Sequence, residues 1–159
     1  MSETHKLEQY LKERNVPYEL VSHEHSATSI ESAHAAKVDA GRLVKAVLLE
    51  GDDRFLAALT TADQEVRVGQ LTHDYGPHLH LADQAEIHNL FEDCEPGVVP
   101  GLPLAWGVDT IWDDDLLTKP DVYLDAGDHE RLLHVETRYL KNLFSEMPHC
   151  HFSMPLKHH

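Results

Sequence analysis

A single lysine, Lys45, breaks the apolar run Leu43-Val44-Lys45-Ala46-Val47-Leu48-Leu49. A lysine in such a run either stretches its stem until the ammonium reaches water or meets an anion, because burial by itself disfavours the charged form. Lys37 and Arg42 fall in the same nine-residue stretch, opposed only by Asp39. Together they form one small basic site that could hold a single anionic end of a ligand. Downstream, Glu95 to Pro103 packs three prolines and two glycines into nine residues. That content suits neither a helix interior nor a central strand, so it predicts a defined, partly buried loop. Glycine permits close approach and unusual dihedrals, which makes the amides from Gly97 to Gly101 candidates to meet a developing oxyanion.

The other reactive side chains give less. Among the 14 histidines are three spaced pairs: His23 with His25, His78 with His80, and His149 with His151. Alternate spacing puts two imidazoles on one side of a strand, yet neither an HExxH motif nor a Cys/His quartet accompanies them. Solvent-exposed histidines are the expectation, with no metal and no cofactor assigned; a histidine-rich metal-binding protein is the alternative these pairs leave open. No serine lies in a GxSxG setting, and Ser22 and Ser26 are only chain neighbours of His23. Cys94 and Cys150 form neither a CxxC motif nor a dense framework, so two reduced, ordinary thiols are expected.

Thirteen Lys plus Arg against 28 Asp plus Glu leave a net charge of −15. Such a chain is poorly suited to broad phosphate-backbone binding driven by counterion release, so neither DNA nor a long RNA footprint is expected. No apolar run approaches the ~20 residues needed to span a bilayer, and Met1 to Arg14 is charged throughout, unlike a secretory signal. A soluble, cytoplasmic protein follows by default. A chain of 159 residues fits one domain, residues 1–159, with a core from about 7 to 144 and a short tail at 145–159.

The elements that must position these residues are legible from periodicity and punctuation. Leu7, Tyr10 and Leu11 predict a helix over His5 to Arg14, stopped by Asn15-Val16-Pro17. Tyr18 to Val21 reads as a strand. Thr28-Ser29-Ile30-Glu31 matches a capping box, predicting a helix over Ala27 to Ala36. Val44 to Glu50 and Arg54 to Thr60 flank Gly51-Asp52-Asp53 as the arms of a hairpin. A helix is expected around Gly69 to Tyr75 and a strand over His78 to Ala82; a second capping pattern, Asp83 to Glu86, opens a helix ending near Asp93. Leu104 to Val108, Val122 to Leu124 and Leu132 to Val135 read as strands, and Tyr139 to Phe144 as a closing helix. Short strands mixed irregularly with helices favour an α+β domain, its mixed, mostly antiparallel central sheet flanked by helices.

Read in order, Tyr18 to His23, Thr28 to Glu31, Val44 to Leu49, Asp93 to Gly101 and Val122 to Gly127 resemble the YbaK family. These are bacterial aminoacyl-tRNA deacylases related to the editing insertion of prolyl-tRNA synthetase. The resemblance runs from about Leu7 to Leu143. It departs in the loop, where the family usually has a proline near Gly101 and a glycine near Pro103. The resemblance implies a site in which the strand lysine, here Lys45, faces the loop Gly97 to Gly101, and an enzyme that hydrolyses amino acids wrongly attached to tRNA. Lys45, Gly97 and Gly101 are then the catalytic candidates. Val98, Val99 and Leu102, with Pro100 between them, would line a pocket with Thr28 at its rim, unless the valines and leucine are ordinary core. His23, Asp125, Gly127 and His129 are placed near it by the family topology. The implied partner is the acceptor end of a mischarged tRNA, with an aminoacyl-tRNA synthetase as a helper. A non-catalytic module gripping a nucleotide or a protein is the competing reading.

Overall fold

The computed structural model describes residues 4–156. In chain order its elements are α1 (Thr4–Glu13), β1 (Glu19–Ser22), α2 (Ser29–Ala36), β2 (Leu43–Glu50), β3 (Phe55–Thr61), β4 (Gln64–Val66), α3 (Thr72–Tyr75) and β5 (His80–Leu81). They continue with α4 (Gln84–Leu90), β6 (Thr110–Asp113), β7 (Asp121–Asp125), β8 (Arg131–Glu136), α5 (Lys141–Phe144), β9 (His149–Cys150) and β10 (Ser153–Pro155). The main sheet runs β1-β8-β7-β2-β3-β6-β9, with β5 also joined to β2, while β4 and β10 make a separate pair. Contacts of β2 with β7, β3 with β6 and β6 with β9 are parallel; the others in the main sheet are antiparallel. This is the single α+β domain with a mixed sheet that the element pattern predicts.

Directly opposed residues in a ladder share a face, so the β2–β3 register sorts the core into two sides. Val44, Ala46 and Leu48 oppose Thr61, Leu59 and Ala57. This face packs against Leu7 and Leu11 of α1, Phe144 of α5, and Phe91 just beyond α4. On the other face, Leu43 meets Ala33 of α2, and Leu49 with Leu56 and Ala58 meets Leu71, Leu79 and Phe152. Each fully buried leucine adds ~2 kcal/mol of transfer free energy, which fixes β2 as a central strand. Lys45 lies on the second face, opposite Thr60.

Several expected elements differ. Leu104 to Val108 is not a strand: Pro103–Trp106 is a 3-10 helix, ended by Gly107 at φ 80, and the strand begins at Thr110. Pro103 supplies a helical φ at the first position, which outweighs the apolar run. The helix expected around Gly69 to Tyr75 divides into a 3-10 turn, Val68–Gln70, followed by α3, and Thr137–Tyr139 similarly precedes α5. The strand His78 to Ala82 shortens to two residues. The segment after Phe144, expected as a tail, supplies β9 and β10 and buries Phe152 completely. Buried Asp113 holds it, accepting the amides of Phe152 and Ser153 at 2.8 and 2.9 Å.

Candidate active site at the open edge of β2

Ala82 N–H donates to the Leu48 carbonyl at 3.0 Å. Backbone direction alternates along a strand, so Val44, Ala46 and Leu48 turn their peptide groups toward this edge, and Leu43 and Lys45 turn theirs toward β3. Consistently, Ala62 N–H reaches the Leu43 carbonyl from the β3 side at 2.9 Å. The ladder with β7 covers only Leu43 and Val44, and that with β5 only Leu49 and Glu50. Ala46 belongs to neither register, and its N–H and C=O face a cavity of about 280 Å³.

Lys45 to Leu48 form the cavity floor. Leu81, Ala82 and Ile87 make one apolar wall, Gly97 and Val99 of the Gly/Pro loop another, and Thr28, Ser29 and His129 close the polar side. The structure thus brings together Lys45, Gly97, Val99, Thr28 and His129 from the sequence candidates. Ala46, Leu81 and Ile87 are additions that the sequence reading missed. No side-chain signal marks Ala46, since its availability comes from where two neighbouring strands stop.

Lys45 does not point its amine straight at the glycine loop. The ammonium donates to the Gln64 carbonyl, with Asp63 and Glu65 nearby. Burial lowers its pKa from the ordinary lysine value, and the two acids offset that only in part. Its stem therefore lines the cavity while its charge is held at β4.

The turn after β7 is built by one carboxylate. Asp125 Oδ1 accepts the amides of Gly127, Asp128 and His129 at 2.7, 3.2 and 3.3 Å, and its Oδ2 lies 2.6 Å from His129 Nδ1. These bonds hold Gly127 at φ 120 and His129 at φ 55. Gly127 is required there twice over, because a Cβ would also sit 2.6 Å from Cys94 Sγ. The His129 side chain is 13% exposed. Burial works against its charged form, but the hydrogen bond and charge of Asp125, with Glu95 and Asp128 behind, raise its pKa above the ordinary value. Asp125 and Gly127 consequently position His129 from behind the cavity.

The Gly/Pro loop divides in the same way. Gly97 adopts φ 85, and Val99 reaches the cavity. Val98 and Pro100 are buried, and the Val98 amide is taken by the Glu95 carbonyl at 3.0 Å. Gly101, a catalytic candidate from sequence, has another place: its amide donates to the Asp125 carbonyl at 2.9 Å, and a Cβ there would lie 2.9 Å from Leu124 Cβ. That contact welds the loop to β7, so this amide is committed and Gly97 is the loop's cavity-lining glycine. Leu102 is fully buried core.

Thr28 caps α2, accepting the Glu31 amide at 3.2 Å. His23 lies outside the cavity lining; its amide donates to the Glu130 carbonyl at 2.8 Å, and its buried Nε2 has no partner among the described residues. The histidine pairs do not converge as ligands. His25 contacts Glu95 at 2.8 Å, His78 contacts Asp52 at 2.9 Å and His149 contacts Asp114 at 2.6 Å. Two groups of three possible metal donors occur among the described residues, His25 with Glu95 and Glu130, and Asp113 with Asp115 and His151. In the second, Asp113 is already committed to the amides of the C-terminal segment.

A carboxylate-held imidazole, an open amide edge, apolar walls and a lysine stem whose ammonium rests on the Gln64 carbonyl suit a small acyl group whose carbonyl gains negative charge. Cys94 is buried behind Gly127, so no thiol lines the cavity. Solved structures share the fold, among them these three. One is a scaffold protein used for computational epitope grafting, 20% identical, with a TM-score of 0.80 and coverage of 98% of this chain and 99% of that one. The second is a hypothetical protein, 22% identical, with a TM-score of 0.80 over 94% and 99%. The third, described provisionally as a trans-editing enzyme for prolyl tRNA synthetase, is 22% identical, with a TM-score of 0.77 over 97% and 98%. No curated protein matches the sequence. Residues 23–143, which run from just after β1 into α5 and hold every cavity residue, match the aminoacyl-tRNA editing domain family, and the chain belongs to that family.

Proposed function

We propose that this protein is a free-standing hydrolase that clears wrongly attached amino acids from tRNA. The observation that carries this reading is the convergence of Lys45, Gly97, Thr28 and His129 on one cavity at the open edge of β2. An aminoacyl ester is already activated, so its hydrolysis needs a positioned water and stabilisation of the oxyanion, with no covalent enzyme intermediate. Water oxygen bonds to the carbonyl carbon, the ester C–O bond breaks, and its electron pair leaves on the ribose oxygen, which gains a proton. Lys45 swings from the Gln64 carbonyl to hold the terminal phosphate or the ester carbonyl, and the Gly97 amide supports the oxyanion. The neighbouring ribose hydroxyl shuttles the proton.

The need is physical: a synthetase pocket gains only about 1–3 kcal/mol per methylene, so smaller or isosteric amino acids enter it. A second, differently shaped pocket removes them. The partners are the acceptor end of a mischarged tRNA and a synthetase that supplies the wider grip; the trans-editing name of one structural neighbour supports that pairing. No described helix is long and apolar enough to cross a membrane, and the reaction belongs in the cytoplasm with tRNA charging.

A panel of mischarged tRNAs tests this directly. The wild-type protein should deacylate at least one of them, and Lys45→Ala should lose at least tenfold in kcat/KM with an unchanged circular dichroism spectrum. Wild-type rates in the Lys45→Ala protein would remove the lysine from the mechanism. No turnover of any ester would favour a binding module on the same fold.

A further inference from the structure

The main sheet has a one-strand gap where the cavity lies. β7 stops pairing at Val44 and β5 begins at Leu49, on the same edge of β2. Gly101 explains the stop: its N–H takes the Asp125 carbonyl at 2.9 Å, the acceptor that the next rung of the parallel ladder would give to Ala46. Ala46 offers both a donor and an acceptor from a central strand into the cavity, with the Leu48 N–H as a second donor on the same edge.

We infer that Ala46 reads the main chain of the aminoacyl group, pairing with it as one more residue of an antiparallel strand. This rests on the ester-hydrolysis reading and deepens it. The Ala46 carbonyl accepts from the substrate's α-ammonium, and the Ala46 N–H donates to the ester carbonyl. An aminoacyl ester carries a donor and an acceptor flanking one Cα, as a strand residue does, and a hydrogen-bonded antiparallel pair exchanges these same two bonds. The pairing recognises what all α-amino acids share, and leaves the substrate side chain to be sorted by the apolar walls at Ile87 and Val99. As water adds to the carbonyl carbon, charge grows on the oxygen and the Ala46 N–H bond strengthens with it. When the ester C–O bond breaks and the ribose oxygen takes its proton, the free amino acid keeps only ground-state strand contacts and departs.

Backbone replacement isolates this contact. Alanine 46 is exchanged for its α-hydroxy acid, which puts an ester oxygen where the N–H was, and Leu49, whose N–H faces β3 opposite Leu56, is exchanged likewise as a control for a lost ladder bond. With the mischarged tRNA that the wild type hydrolyses best, kcat should fall about 100-fold for position 46 and no more than about threefold for position 49. Equal losses overturn the inference. On the substrate side, a propionyl ester lacking the α-nitrogen should lose at least tenfold in kcat/KM against its alanyl counterpart, after each is divided by its uncatalysed rate; a ratio near one removes the carbonyl half of the pairing. Finally, an uncleavable 3′-alanylamino-adenosine should shift the Ala46 amide resonance in the full chain. A shift without turnover of any ester overturns the hydrolytic reading alone, whereas its absence overturns this inference.

Discussion

At the scale of single residues, the site is made by side chains whose partners decide what they can do. His129 holds a left-handed φ of 55 and a carboxylate on Nδ1, both imposed by Asp125. Its folded pKa is raised, so the native state holds the protonated imidazole more tightly than the unfolded chain does. The stability that this supplies is complete below the unfolded histidine value and is lost as pH rises through the folded one. Thermal unfolding of wild type and His129→Gln should therefore diverge most below the unfolded histidine value of ~6.5 and converge as pH rises past the raised folded one. A difference independent of pH would show that the imidazolium–carboxylate pair contributes nothing. Lys45 was legible as an odd charge in an apolar strand, but the Gln64 carbonyl that holds its amine was not. That carbonyl sits 19 residues away on β4, an element that no periodicity announced.

At the scale of elements, local chemistry was decisive wherever it was self-contained. The reciprocal capping box of Asp83 and Glu86 forms at the start of α4, and Thr28 caps α2 where the motif placed it. The hairpin β2–β3 turns on Gly51 with its amide on the Arg54 carbonyl at 2.9 Å. Elements that depend on distant partners were missed. β9 and β10 are two and three residues long, too short for a pattern, and exist because Asp113 and β4 accept them. Phe152 between them is fully buried against Leu49, Leu56, Ala58 and Leu71. Phe152→Ala should cost about 3–5 kcal/mol in denaturant unfolding, the range for an emptied aromatic site in a core. A cost below about 1 kcal/mol would mean that the segment is an appendage.

At the scale of the whole molecule, a net charge of −15 sets how a tRNA can be met. Ordinary nucleic-acid binders lose affinity steeply with salt because they release counterions from many phosphates. Here the long-range term is repulsive, and salt screens it over about 10 Å at 0.1 M. Deacylation of a mischarged tRNA should hold steady or rise in kcat/KM from ~20 to ~200 mM monovalent salt, while an aminoacyl-adenosine without the phosphates responds little. A steep fall for tRNA would reveal a cationic footprint that the acidic body hides. Charge balance, hairpin, caps and the loop that no regular element could absorb were all determined by the sequence alone, because each rests on neighbours within a few residues. The ordered motifs likewise carried the family. Only the tertiary structure decided which members of the Gly/Pro loop face the cavity, that Gly101 ends the β2–β7 ladder, and that Ala46 is left open beside Lys45. The physical reason is that a backbone group becomes available by losing a partner, and partners in a sheet are chosen by strands far apart in the chain.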